Sequence, residues 1–264
     1  MSYKSLTVEI KNKIAHIQLN RPDKRNSMNV DFWRELPLAV QQIDNDASAR
    51  VIVLSSTGKH FCAGMDLAVF TGDGLSNELE LGRKHENLRR KVLQLQDIMS
   101  VFENVRMPTL AAIQGGCIGG GVDMVSACDI RYCSEDAFFS IEETKLGMTA
   151  DMGTLQRLPH LISHGLTREL AYTGRRLYAD EAQRAGLVNQ VFKDQQALLD
   201  GVMEVAAQIA ARSPLAVSGC KEMLNYSRDH NVADSLKYMA TWQSGMFQPQ
   251  TDMMETFSAK MEGR

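Results

Sequence analysis

Gly115-Gly116-Cys117-Ile118-Gly119-Gly120-Gly121 follows a short apolar run and precedes an apolar stretch with helical spacing. Glycine lets the backbone take positive φ and lets a ligand approach it closely. The first amides of a helix have no intrahelical acceptor and lie at the positive end of its dipole. A turn of this kind packs tightly against a neighbour, holds a phosphate, or holds a developing oxyanion. A second loop, Phe61-Cys62-Ala63-Gly64-Met65-Asp66-Leu67, also follows an apolar run and is also rich in small residues. Two such turns can each offer one amide to a single oxygen. A thioester carbonyl that becomes an enolate requires such a pair, because charge builds on its oxygen. The glycine spacing is not a dinucleotide fingerprint, and no acidic residue closes a following strand at the distance that fingerprint needs.

Three carboxylates accompany the loops. Asp123 sits two residues past Gly121; it reads either as a first-turn acid stabilised by the helix dipole or as a site residue. Glu143 follows the strand pattern Phe138-Phe139-Ser140-Ile141 and is either half of a surface pair with Glu142 or an acid–base group. Asp151 opens the predicted helix Asp151–Leu158, where an N-cap is the competing reading. His60 reads as a surface histidine despite its place before the second loop. Glu142 and Lys145 read as solvated neighbours, and Arg131 as a brace of the core.

The elements that must position these residues follow from periodicity. Leu6–Ile10 and Ile14–Leu19 alternate about Lys11-Asn12-Lys13, which predicts a β-hairpin. Phe32, Leu36, Ala39, Val40 and Ile43 predict a helix over 30–46. Val51–Leu54 and Thr109–Ile113 are continuous apolar runs, the pattern of strands buried on both faces. A helix over 79–104, one opening at Gly119–Gly121, and strands at 129–133 and 137–141 complete an α/β core with parallel strands. From about 195 the chain reads as helical, over 195–212, 214–227, 231–246 and 250–261. The division expected is a core over 1–195 and a helical region over 196–264. The Met-rich stretch Met239–Met261 reads as core packing or subunit contact.

Composition narrows the class. Hydrophobic content of 44% and charged content of 23% suit a soluble globular protein, and no apolar run is long enough to span a bilayer. The net charge of -3 gives no global attraction to nucleic acid or anionic membrane, so neither is expected as a partner. Cys62, Cys117, Cys128, Cys133 and Cys220 form no C-x-x-C pair and read as reduced thiols, with no metal site expected. Neither a leader pattern at Met1–Ser5 nor a Ser-Lys-Leu ending is present. A bacterial cytoplasmic protein, or a mature processed form, is the expectation.

The two loops together resemble the crotonase (enoyl-CoA hydratase/isomerase) superfamily. The same pattern matches Asn20–Met28, Met107–Gly115, Ala127–Arg131 and Glu181–Val188, in the family's order and over about residues 5 to 260. The resemblance implies a ClpP/crotonase-like α/β spiral of ββα units with a C-terminal helical trimerisation region. It also implies an acyl-CoA thioester as substrate, no separate cofactor, and a homotrimer or hexamer. By motif position the oxyanion amides fall on Met65 and Gly120. The CoA-binding surface falls on Lys24, Arg25, Ser27, Ala63 and Asp66, with Ser27 where Ala is more usual. Lys260, in Phe257-Ser258-Ala259-Lys260, matches a residue that reaches a neighbouring subunit's CoA.

Hydratases of the family carry two glutamates where this chain has Asp123 and Glu143. The shortened first acid and the third acid, in the run Glu143–Pro159, resemble 3,5-dienoyl-CoA to 2,4-dienoyl-CoA isomerases of fatty-acid β-oxidation. Such a reaction removes one proton and returns another further along the chain, which needs a base and an acid at separate carbons. Asp151 is assigned as base and Glu143 as acid, although either order fits the sequence, and Asp123 orients or tunes them. A 2-enoyl-CoA hydratase that places a water between Asp123 and Glu143 is the alternative. A non-catalytic RNA-binding or scaffold paralogue is disfavoured, because helix 30–46 carries Asp31, Glu35, Asp44 and Asp46 against one Arg34.

Overall fold

The computed structural model describes residues 3–66, 80–246 and 251–262. Leu67, Leu79 and Gln250, which end or begin predicted segments, lie outside the described residues.

β1 (Leu6–Lys11) and β2 (Ile14–Leu19) form the predicted antiparallel hairpin, with Asn12 and Lys13 both at positive φ. Such a turn matches the twist of the two strands. β2 then pairs in parallel with β3 (Val51–Ser56), and β3 with β4 (Thr109–Ile113). β4 pairs with β6 (Ile130–Ser134), and β6 with β9 (Gln190–Phe192), which completes a sheet in the order β1-β2-β3-β4-β6-β9.

Both faces of this sheet are covered, which explains the unbroken apolar runs of β3 and β4. On one face Ile52 and Leu54 join the core with Phe32, Leu36 and Val40 of α1 (Val30–Asp46) and Met99 and Phe102 of α2 (Leu81–Asn104). On the other, Val51, Val53, Leu110 and Ala112 meet Leu198, Val202, Ala206 and Ala210 of α7 (Gln195–Ala210). Each fully buried Val or Leu contributes roughly 1.5–3 kcal/mol, so α7 is bound to the core by its own apolar stripe.

After β4 the chain turns at Gly115 and enters a smaller sheet through β5 (Gly116–Ile118), which pairs in parallel with β7 (Phe138–Ser140). β7 pairs antiparallel with β8 (Leu177–Tyr178). The chain therefore runs strand, strand, helix at β4, β5 and α3 (Gly120–Ser126), and passes again from large sheet to small at β6 and β7. This is the ββα spiral the resemblance implies. The short elements β5, β8, α5 (His164–Thr173), α6 (Ala179–Ala185) and β9 are absent from the periodicity reading, because two- to ten-residue segments give too few repeats.

α4 begins at Thr154, not at Asp151, and runs to Leu161. The C-terminal helices α8 (Pro214–Asp229), α9 (Val232–Met246) and α10 (Thr251–Met261) lie where periodicity puts them. Met239, Met246, Met254, Phe257 and Met261 are exposed, which removes the core-packing reading of the Met-rich stretch within this chain. Among the described residues no helix is long and apolar enough to cross a membrane.

Candidate active site

The two loops are stitched side by side. The Cys62 amide donates to the Gly116 carbonyl at 3.1 Å, and the Ile118 amide donates to the Cys62 carbonyl at 3.0 Å. Gly64 has φ +83, and a Cβ there would lie 2.9 Å from the Ile118 carbonyl oxygen and 3.5 Å from the Gly120 nitrogen. Only glycine fits this approach, and it brings the Met65 and Gly120 amides onto adjoining backbone. Gly120 is the first residue of α3, so its N–H has no intrahelical acceptor. Neither the Met65 nor the Gly120 N–H has a backbone acceptor among the described residues. Met28 bridges the second loop on its other side, accepting from Asp66 and donating to Gly64.

His60 braces this arrangement. Its Nδ1 accepts the Gly116 amide at 3.0 Å, which fixes the neutral ring with its proton on Nε2. Burial, with Lys59 and Arg25 adding to it, holds the imidazole below its ordinary range. The surface reading of His60 is thus corrected to a half-buried acceptor behind the glycine loop.

The three acids converge next to these amides. Asp123, in α3, is fully buried; its Oδ1 accepts the Thr154 amide at 2.7 Å. Glu143 opens a short 3-10 turn after β7, and its Oε1 lies 3.2 Å from where a Cβ on Gly119 would stand. Gly119 itself has φ +52 and ψ -119, a backbone conformation that favours glycine. Asp151 lies on the turn before α4 with an exposed side chain, and the N-cap position belongs to Gly153. The capping reading of Asp151 is therefore overturned, and the capping carboxylate is Asp123, supplied by another helix.

Burial pushes Asp123 up to about 6, against the pull of Thr154, while the charge of Asp151 adds to the rise. Burial likewise pushes Glu143 up to about 7, with Asp123 and Asp151 both repelling its charged form. Four buried side-chain polar atoms lack a hydrogen-bond partner among the described residues, and three of them are Asp123 Oδ2, Glu143 Oε2 and Thr154 Oγ1. Native interiors rarely leave such atoms unpaired, so their clustering singles out this place as the candidate site. The arrangement pairs two backbone donors with two acids held above their ordinary range and a third that is exposed, a set able to support enolate formation and proton return.

A sequence profile described as enoyl-CoA hydratase/isomerase matches residues 9–262. The chain belongs to the enoyl-CoA hydratase/isomerase family. A human protein named Delta(3,5)-Delta(2,4)-dienoyl-CoA isomerase, mitochondrial, is 46% identical over 100% of this chain and 81% of its own length. The Arabidopsis thaliana protein of that name, peroxisomal, is 45% identical over 100% of this chain and 96% of its own. A crystal structure titled enoyl-CoA hydratase from Bacillus anthracis superposes with a TM-score of 0.89 at 33% identity, covering 99% of this chain and 97% of that one. The bacterial cytoplasmic expectation is overturned: relatives at 45–47% identity are named as mitochondrial or peroxisomal proteins of eukaryotes.

The residues matched to the family's CoA surface also come together. The Ala63 amide donates to the Arg25 carbonyl at 3.0 Å, and Ser27 Oγ donates to Asp66 Oδ2 at 3.1 Å. Arg21 donates to the Ser27 carbonyl and pairs with Asp66, so it acts within the turn, while Lys24 and Arg25 are exposed. Lys260 is exposed on α10. Arg131 is buried, donating to the Leu187 and Cys128 carbonyls, as the bracing reading requires. Sequence reasoning missed Thr154, Gln96 and Arg157. Thr154 and Arg157 lie inside the Glu143–Pro159 run, but nothing in their spacing shows which groups they hold.

Proposed function

We propose that this protein isomerises 3,5-dienoyl-CoA to 2,4-dienoyl-CoA in fatty-acid β-oxidation. The observation that carries the reading is the third acid: Asp151 is not spent on capping α4 and stands exposed beside the buried Asp123 and the half-buried Glu143. The thioester oxygen sits between the Met65 and Gly120 amides. Asp151 removes the proton from C2, and the charge spreads through the dienolate to that oxygen. Glu143, which burial keeps partly protonated near neutral pH, returns a proton at C6. Asp123, held by Thr154, repels the charged form of Glu143 and so helps to raise it. The reaction needs no separate cofactor, because the thioester itself supplies the electron sink.

CoA lies along Lys24, Arg25, Ser27, Ala63 and Asp66, with backbone groups for the adenine and basic side chains for phosphate. The subunits form a homotrimer, or a hexamer of two trimers, through the exposed apolar faces of the C-terminal helices, where Lys260 reaches a neighbour's CoA. The test is the growth of the longer-wavelength absorbance of a 2,4-diene conjugated with the thioester carbonyl when the protein meets a 3,5-dienoyl-CoA, set beside its rate of crotonyl-CoA hydration. Hydration without diene formation favours the hydratase alternative, in which Asp123 and Glu143 place a water.

A further inference from the structure

The turn that carries Asp151 is gripped from three sides. Gln96 of α2 donates from Nε2 to the Asp151 carbonyl at 2.6 Å. Arg157 of α4 donates from Nη1 to the Met152 carbonyl at 3.4 Å. The Gly153 carbonyl accepts the Gln156 and Arg157 amides at 3.1 and 2.9 Å, and the Thr154 amide goes to Asp123. With the backbone anchored this way, the Asp151 carboxyl is the part of the turn that faces outward.

Arg157 is itself fixed. Its Nε donates to Glu103 Oε2 at 2.9 Å, and its Nη2 donates to the same oxygen and to Ser100 Oγ. Arg228 of α8 donates to the other Glu103 oxygen. The Arg157 side chain is only 14% exposed, so a swing away would leave Glu103 short of a partner in a poorly solvated place. Gly153 has φ +126, and a Cβ there would stand 1.8 Å from Arg157 Nη1. The guanidinium therefore fills the space that any L side chain at 153 would need.

We propose that Arg157 is a positioning residue for the acid cluster, setting where the Asp151 carboxyl stands relative to Asp123 and Glu143 by gripping Met152 and lying across Gly153. The inference rests on the reading of those three acids as the proton-transfer groups. Arg157 acts through the turn, since its contacts go to protein. Its charge also pulls Asp123 downward against burial, which gives the arrangement a readout separate from rate. Through Arg228 and Glu103, the C-terminal helices are joined to the same turn.

The test uses the full chain with R157M, R157K and E103Q. kcat and KM for diene isomerisation are measured, and the Asp123 carboxyl is titrated by carbon NMR of aspartate-labelled protein, its resonance assigned with D123N. A misplacement of about 1 Å costs on the order of a hundredfold. R157M is expected to lower kcat by about tenfold to a hundredfold, with KM changed by less than about threefold, and to move the Asp123 titration upward. R157K is expected to keep the titration near that of the wild type without restoring kcat, because lysine has no fork to span Met152 and Glu103. E103Q, which loosens the guanidinium, is expected to lower kcat as well, and it carries the rate comparison with R157K if R157M does not fold. A kcat within about twofold of wild type in R157K and E103Q, an effect confined to KM, or an Asp123 titration unmoved in R157M overturns the proposal. If the wild type forms no diene, the reaction assignment fails instead, and the Asp123 titration still reports on Arg157.

Discussion

Asp123 on α3 accepts the amide of Thr154, the first residue of α4, at 2.7 Å. One carboxyl oxygen is thus committed to joining two helices, and the other, Oδ2, is buried and has no hydrogen-bond partner among the described residues. The same side chain orders the turn that carries Asp151 and adds to the repulsion on Glu143.

Holding acids above their ordinary range costs stability. Asp123 is raised from 3.8 to about 6 and Glu143 from 4.5 to about 7. Between those limits the folded protein binds more protons than the unfolded chain, so this contribution to stability falls as pH rises from about 4 to about 7. E143Q removes one such burden without changing shape. It is expected to raise stability by about 1–3 kcal/mol at pH 8, with the gain fading toward pH 4.5. Urea unfolding at the two pH values checks this; an equal gain at both would show that the charge was not the cause.

Glu143 as proton donor must be protonated. The kcat/KM of the wild type is expected to fall as pH rises through about 7. E143Q is expected to lose about two to four orders of magnitude and to lack that alkaline limb. A limb that persists in E143Q belongs to another group.

Gly64 has no room for a side chain. G64A places a methyl against the Ile118 carbonyl at a positive φ, which pushes the Met65 amide away from Gly120. The expected result is a fall in kcat of about a hundred- to a thousandfold with a smaller change in KM. Steady-state kinetics on protein with a native circular dichroism spectrum check it.

Much of this was legible in the sequence. The hairpin at Leu6–Leu19, the doubly buried runs at Val51 and Thr109, and the C-terminal helices each carry long, clean periodicity. The glycine loops stand out in the sequence because positive φ and close approach leave a compositional trace. What was not legible is who holds whom. Asp151 looked like the cap of its helix, yet the cap is Gly153 and the Thr154 amide goes to Asp123, 31 residues away. Likewise nothing in the spacing of His60 and Gly116, 56 residues apart, signals that one accepts the other's amide. Long-range hydrogen bonds of this kind depend on tertiary placement, on which local patterns are silent.

The exposed apolar residues of α10 make a prediction about assembly. F257E, at a half-exposed aromatic position, is expected to shift a trimer or hexamer toward monomer in sedimentation and to leave the fold of the core intact. An unchanged sedimentation coefficient would place the subunit contact elsewhere.

The central claim is that Asp151 does chemistry. The measurement is the rate at which D151N and wild type turn a 3,5-dienoyl-CoA into the 2,4-diene conjugated with the thioester, with crotonyl-CoA hydration measured on the same preparations. Asn keeps the shape of the turn and the Gln96 contact to the backbone carbonyl but removes the charge. The account predicts a loss of about a hundredfold or more in diene formation with the protein still folded. Diene formation unaffected by D151N, or strong hydration of crotonyl-CoA that survives it, would contradict the account.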